Sequence, residues 1–298
     1  MEWRGRRQSQ NIEDRRSQSG GGFGRMPGGR VVTGRTGAVG GLGAVAIIVI
    51  ALFLGIDPSQ LLGPGGPMDS GGSYSEPAEL TQADKDAGEF VAVTLGDTEE
   101  IWTKVFAEQL NRRYTPTTLV LFKDGTQSAC GGASEATGPF YCPSDKKVYL
   151  DTSFFVTLRD RLGAHGDFAA AYVVAHEVGH HVQDELGILA QANQIRSQVS
   201  ETESNQISVM IELQADCLSG IWAREAHQTL GTIENGDFEE AVNAARQIGD
   251  DTLQRNAGQR PMPHTFTHGT SEQRVRWFQI GLNSGRIDNC NTFEARDL

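Results

Sequence analysis

The chain has 298 residues, 38% of them hydrophobic, and a formal net charge of −12 at pH 7. That length suits one domain of ordinary size with appendages. The charge is uneven: residues 1–36 carry eight arginines against three acidic residues, so the remainder is strongly acidic, which argues against nucleic acid as its partner.

Residues 1–36 are rich in Arg, Gly, Ser and Gln, lack apolar periodicity, and read as a disordered cytoplasmic tail. Residues 37–56, GAVGGLGAVAIIVIALFLGI, hold no charged side chain and match the length of a membrane-crossing helix. They start late for a cleaved signal peptide and end without a small-residue cleavage motif. The reading is therefore an uncleaved single transmembrane helix. The upstream arginines place the N-terminus inside and everything after residue 56 outside, as a single-pass protein of the inner (cytoplasmic) membrane. Gly37 and Gly41 form a small-xxx-small pair of the kind found at helix dimer faces; nothing else bears on oligomeric state. Residues 57–80 are rich in Pro, Gly and Ser and read as a flexible linker. The folded domain is expected over 81–298.

Within it, Phe90 to Leu95 predicts one helix, and Asp97 caps a second that runs through Leu110. Thr117 to Phe122 is β-branched and apolar, hence a strand; Gly138 to Cys142 and Lys147 to Asp151 form a hairpin. Helices follow over Phe154–Leu162, Phe168–Leu186, Gln191–Val199, Thr202–His227, Phe238–Asn256 and Ser271–Leu282. The last opens with Thr270 and Gln273 in a capping-box pattern. The fold class is α+β, mostly helical, with a small sheet.

The Phe168–Leu186 helix carries His176-Glu177-x-x-His180. Four residues apart, the two imidazoles share one helical face and can hold one tetrahedral metal ion. Glu177 leans beside that ion, where a general base must sit to take a proton from an attacking water. The pattern is H-E-x-x-H, and its chemistry is zinc-dependent hydrolysis. The rival reading is a helix with two packing histidines. Val173, Val174, Ala175 and Val178 argue against it, because a buried His and Glu need partners. A catalytic zinc needs a third protein ligand. Glu212 is the best candidate, and Asp216, one turn on, can accept the second ring N–H of a ligating histidine. Ile211, Leu213, Ala215 and Leu218 make a merely solvated acidic face a poorer reading. His181 points about 100° away from His180 and is read as a supporting or surface residue.

Four cysteines permit three pairings, and none lies in a C-x-x-C. Cys130 and Cys142 bracket a Gly-rich loop and are the first choice, leaving Cys217 with Cys290. Outside the cytoplasm such bridges are the default.

These residues carry a resemblance. AYVVAHEVGHHVQ, ELQADCLSGIWA and THGTSEQRVRWF are similar to stretches of the bacterial neutral zinc metallopeptidase family, and the similarity covers most of the chain. More distantly, the chain resembles the HtpX-like and prenyl-protease-like zinc peptidases, which have several membrane spans where this chain has one. The resemblance implies a zincin-like domain in which His176, His180 and Glu212 bind Zn2+, Glu177 is the base and Asp216 supports a ligand. It also implies that His268, in a Thr-His before the last helix, stabilises an oxyanion, with Arg274 orienting its loop. The strand before the zinc helix would then pair with extended substrate. The expectation is a membrane-anchored zinc peptidase acting on protein or peptide substrates. The alternative is a zinc-stabilised binding or scaffold domain without turnover, which has no need of Glu177.

Overall fold

Residues 1–17, 79–134 and 137–298 are described by a computed structural model of the chain. Strands β1 (Ile12–Asp14), β2 (Thr118–Phe122), β5 (Phe140–Cys142) and β6 (Lys147–Asp151) form a sheet in the order β1-β2-β6-β5. The β1–β2 and β2–β6 pairs are parallel, and β5–β6 is antiparallel. Strands β3 (Gly125–Ser128) and β4 (Gly131–Ser134) make a separate hairpin.

Side chains alternate across a strand, and this decides what each sheet face meets. Leu119, Leu121, Val148 and Leu150 enter the large core shared with the helices. Val120, Phe122 and Tyr149 face the other way, where they join Cys142 and Ala133 of the hairpin in a small second core. The Cys130–Cys142 disulfide ties hairpin to sheet there.

The helices are α1 (Gln82–Val105), α2 (Phe154–Asp160), α3 (Asp167–Glu185), α4 (Ile188–Arg196), α5 (Glu201–Glu225), α6 (Asp237–Gln247), α7 (Asp250–Asn256) and α8 (Ser271–Ser284). Capping boxes start α5 at Ser200/Glu203 and α8 at Thr270/Gln273, satisfying backbone N–H groups that helix ends leave free. Helices α5 and α8 meet backbone to backbone: a methyl group at Gly281 would lie 1.8 Å from the Cys217 carbonyl oxygen. Only glycine permits that approach. The second disulfide, Cys217–Cys290, fastens the C-terminal segment to α5.

The structure corrects several sequence-based expectations. Asp97 does not cap a second helix; it lies inside one continuous α1, where Arg6 donates to its carboxylate at 3.0 Å. The Phe238–Asn256 helix is broken into α6 and α7 at Gly249, where the backbone passes so close to α8 that a methyl group would lie 2.3 Å from the Ser271 nitrogen. Strand β6 has neighbours on both sides, so the free edge nearest α3 belongs to β5.

The largest correction concerns the expected tail over residues 1–36. Its first part is ordered and belongs to the domain. Leu119 N donates to Asn11 O at 2.8 Å and Arg15 N to Leu121 O at 2.7 Å, which seats β1 on the sheet. Three of the eight arginines read as a topology signal pair with α1: Arg6 with Asp97, Arg7 with Glu99, and Arg16 with the Asp84 carbonyl; Arg25, Arg30 and Arg35 lie outside the described residues. A disordered tail over residues 1–17, apart from the domain, does not accommodate β1. The apolar stretch 37–56 and the linker over 57–80, except its last two residues, lie outside the described residues. No described helix is long and apolar enough to cross a membrane.

Deleting residues 1–17 should strip β2 of a neighbour and leave Asp97 and Glu99 without their arginines. We expect the unfolding midpoint to fall by about 4–8 °C, or about 2 kcal/mol for a domain of this size. An unchanged midpoint would show that β1 adds nothing to the sheet.

Candidate active site

Helix α3 presents His176 and His180 on one face, and α5 brings Glu212 opposite them. His176 Nε2 lies 3.1 Å from Glu212 Oε2, and His180 Nε2 lies 3.4 Å from Glu212 Oε1. One ligand atom from each of the three falls within 4.8 Å of the others. A tetrahedral ion with bonds of about 2.0–2.1 Å requires ligand atoms about 3.3 Å apart. Two imidazole nitrogens and a carboxylate at these separations are a donor set suited to zinc.

Asp216 anchors the assembly from behind. It is fully buried, and His176 Nδ1 lies 2.9 Å from its Oδ1. Arg274 of α8, itself 2% exposed, donates from Nε to Oδ2 and from Nη2 to Oδ1, both at 2.9 Å. Tyr172 OH donates to the same Oδ1. Since a carboxylate only accepts, Nδ1 of His176 carries a proton for Asp216, which leaves Nε2, on the Glu212 side, as the nitrogen whose lone pair an ion would take. Burial works against charge on all these groups. Even so, Arg274 and His176 hold the Asp216 carboxyl below its ordinary value. Burial likewise opposes protonation of His176, but Asp216 and Glu212 outweigh it and push its pKa up to about 10 without an ion. The Glu212 carboxyl is drawn well below the usual range by His180 and His176 despite its burial.

Glu177 differs. It is 7% exposed, and burial raises its pKa although His180 and His176 pull the other way. No hydrogen bond holds its carboxylate among the described residues. A buried carboxylate with a raised proton affinity is the form a general base takes.

His268 reaches the site from the loop before α8. Asp250 builds that loop: its Oδ2 accepts from the backbone N–H of Thr267, His268 and Gly269 at 2.7, 2.7 and 3.1 Å. Its Oδ1 lies 3.1 Å from His268 Nδ1. Burial opposes the charge on His268, but Asp250 and then Glu212 raise its pKa. The loop is thus oriented by Asp250, whereas Arg274, expected to orient it, binds Asp216, Tyr172 and the Ile248 carbonyl. Sequence reading passed over Asp250 because the break at Gly249 was not foreseen. Tyr172, one turn before His176 on the same helical face, had a usable signal. His181 is turned away and buried; Nε2 lies 2.7 Å from the Thr115 carbonyl oxygen.

The chain matches the family model described as "Putative neutral zinc metallopeptidase" over residues 1–293. It is 43% identical over 293 residues to the uncharacterized protein YpfJ of Escherichia coli K12, covering 98% of this chain and 99% of that one. It is 37% identical over 264 residues to an uncharacterized protein of Mycobacterium tuberculosis, covering 83% of this chain and 86% of the relative. No solved structure matches.

Arg274→Met keeps the length of the side chain but leaves the Asp216 charge uncompensated. It should cost about 3–5 kcal/mol of stability, measured by denaturant unfolding of the metal-free protein. A loss below about 1 kcal/mol would show that Arg274 is not what holds that charge.

Proposed function

We propose, for a chain that belongs to this zinc metallopeptidase family, that it cleaves peptide bonds at a zinc ion held by His176, His180 and Glu212. The observation that carries this is the convergence of those three ligand atoms, that of His176 buried and the other two partly so, beside a carboxylate, Glu177, that no hydrogen bond engages among the described residues. Zinc, when bound, supplies a Lewis acid for the scissile carbonyl and makes water more acidic.

The other roles fall to the chain itself. Glu177 takes the proton of the attacking water and passes it to the leaving amine. His268, its Nδ1 beside Asp250, donates a hydrogen bond to the developing oxyanion. Asp216, Tyr172 and Arg274 keep His176 in one tautomer and one orientation. Strand β5 offers an edge that is unpaired among the described residues, beside α3, where an extended protein or peptide segment adds by backbone hydrogen bonds independent of its sequence. Both disulfides suit an oxidising compartment, so we place the folded unit, residues 1–17 included, outside the cytoplasm, with residues 37–56 as its membrane attachment.

Glu177→Gln preserves shape but accepts no proton. It should bind zinc as the parent does and cleave casein or a peptide library at least ~10²-fold more slowly. Near-parental turnover would remove Glu177 as the base. Glu212→Ala should lose tightly bound zinc, and a full equivalent retained after dialysis would remove it from the ligand set. A parent protein that binds zinc yet shows no chelator-sensitive cleavage would favour a scaffold without turnover.

A further inference from the structure

The two candidate ligand histidines are backed in different ways. Behind His176 stands a charged group, Asp216. Behind His180 stands a chain of neutral amides. His180 Nδ1 lies 2.8 Å from Gln183 Oε1. Gln183 Nε2 donates to the Ile211 carbonyl at 2.8 Å and to Gln214 Oε1 at 2.9 Å. Gln214 Nε2 donates in turn to the Cys290 carbonyl at 2.9 Å.

Both glutamines are buried, at 0% and 5% exposure, so each polar atom needs its partner. A backbone carbonyl only accepts, so the amide nitrogen of Gln183 must face Ile211. Its oxygen must then face His180, and His180 must carry its proton on Nδ1. Every bond runs one way: His180 to Gln183, to Gln214, to the carbonyl of Cys290. Cys290 is joined by disulfide to Cys217, three residues beyond Gln214 on α5. The bridge therefore fixes the carbonyl on which the chain of donors ends.

We propose that Gln183 is a positioning residue that selects the metal-ready tautomer of His180, and that the Cys217–Cys290 bridge, through Gln214, sets how tightly this site holds zinc. The proposal rests on the zinc reading given above. It makes oxidation of one disulfide a condition of full metal affinity.

The test uses the full-length protein, with zinc affinity measured by chelator competition and imidazole ¹⁵N shifts measured on the zinc-free form. Gln183→Leu removes the acceptor. It should weaken zinc about 10–100-fold and convert His180 from a single Nδ1–H tautomer to a mixture, while the ring nitrogen shifts of His176 stay as in the parent. Gln183→Glu restores an acceptor and should recover the tautomer. Cys217→Ala/Cys290→Ala should weaken zinc as well, and adding Gln183→Leu to it should weaken zinc little further, since both changes break one chain. If Gln183→Leu does not fold, Gln183→Met, which also lacks the amide oxygen, carries the same expectations. Zinc affinity within about twofold of the parent, or an unchanged His180 tautomer, overturns the role of Gln183. Fully additive losses overturn the link to the disulfide. Failure of the zinc reading looks different: the parent protein itself would bind no zinc, and the tautomer comparison would still decide on Gln183.

Discussion

Taking the Asp216 carboxylate out of water costs several kcal/mol unless partners replace its hydration. The chain supplies them from two helices at once: His176 and Tyr172 on α3, and the two-pronged guanidinium of Arg274 on α8, all meeting a residue of α5. The requirement is both structural and chemical. Pairing the charge fixes where three helices cross, and the same pairing turns His176 so that its Nε2 faces Glu212. The close approach at Gly281, which brings α8 against α5, is the steric condition that allows Arg274 to reach.

The H-E-x-x-H helix was legible because its signal is local: two histidines at helical spacing in an apolar run. The Glu212/Asp216 pair was legible for the same reason. Capping boxes and the alternating strands β2 and β6 were readable from short windows. What escaped notice depends on distant partners. Asp250 and Gln183 look like ordinary polar helix residues; their roles come from a loop eighteen residues on in one case and from a neighbouring helix in the other. The single helix expected over Phe238–Asn256 is interrupted at Gly249, where the chain passes close to Ser271, a tertiary approach that helical periodicity cannot register.

Composition misled most at the N-terminus. Arg-rich, Gly-rich chain with few apolar residues is ordinarily solvated, yet Met1, Trp3 and Ile12 all pack into or against the main core. The rest of the order comes from backbone pairing with β2 and arginines matched to the acids of α1. Neither source leaves a periodic trace in the segment itself. The arginines had a local reading, as a charge bias beside an apolar stretch. The pairing of Arg6, Arg7 and Arg16 with α1 gives these three a structural role that the local reading did not contain.

The pairing of Ile12 with Leu119 also has a kinetic side. More than a hundred residues separate the partners, and parallel pairing of so distant a strand carries a large loop-closure entropy. The local β5–β6 hairpin and the α3–α5 contacts close far shorter loops and have the advantage in time. Strand β1 is then a late arrival, and until it docks β2 shows the solvent an open row of backbone donors and acceptors. During that interval the strand able to fill the row has no need to come from the same molecule. Two nascent copies held near one another could exchange their first seventeen residues and close as an intertwined pair with every native contact preserved.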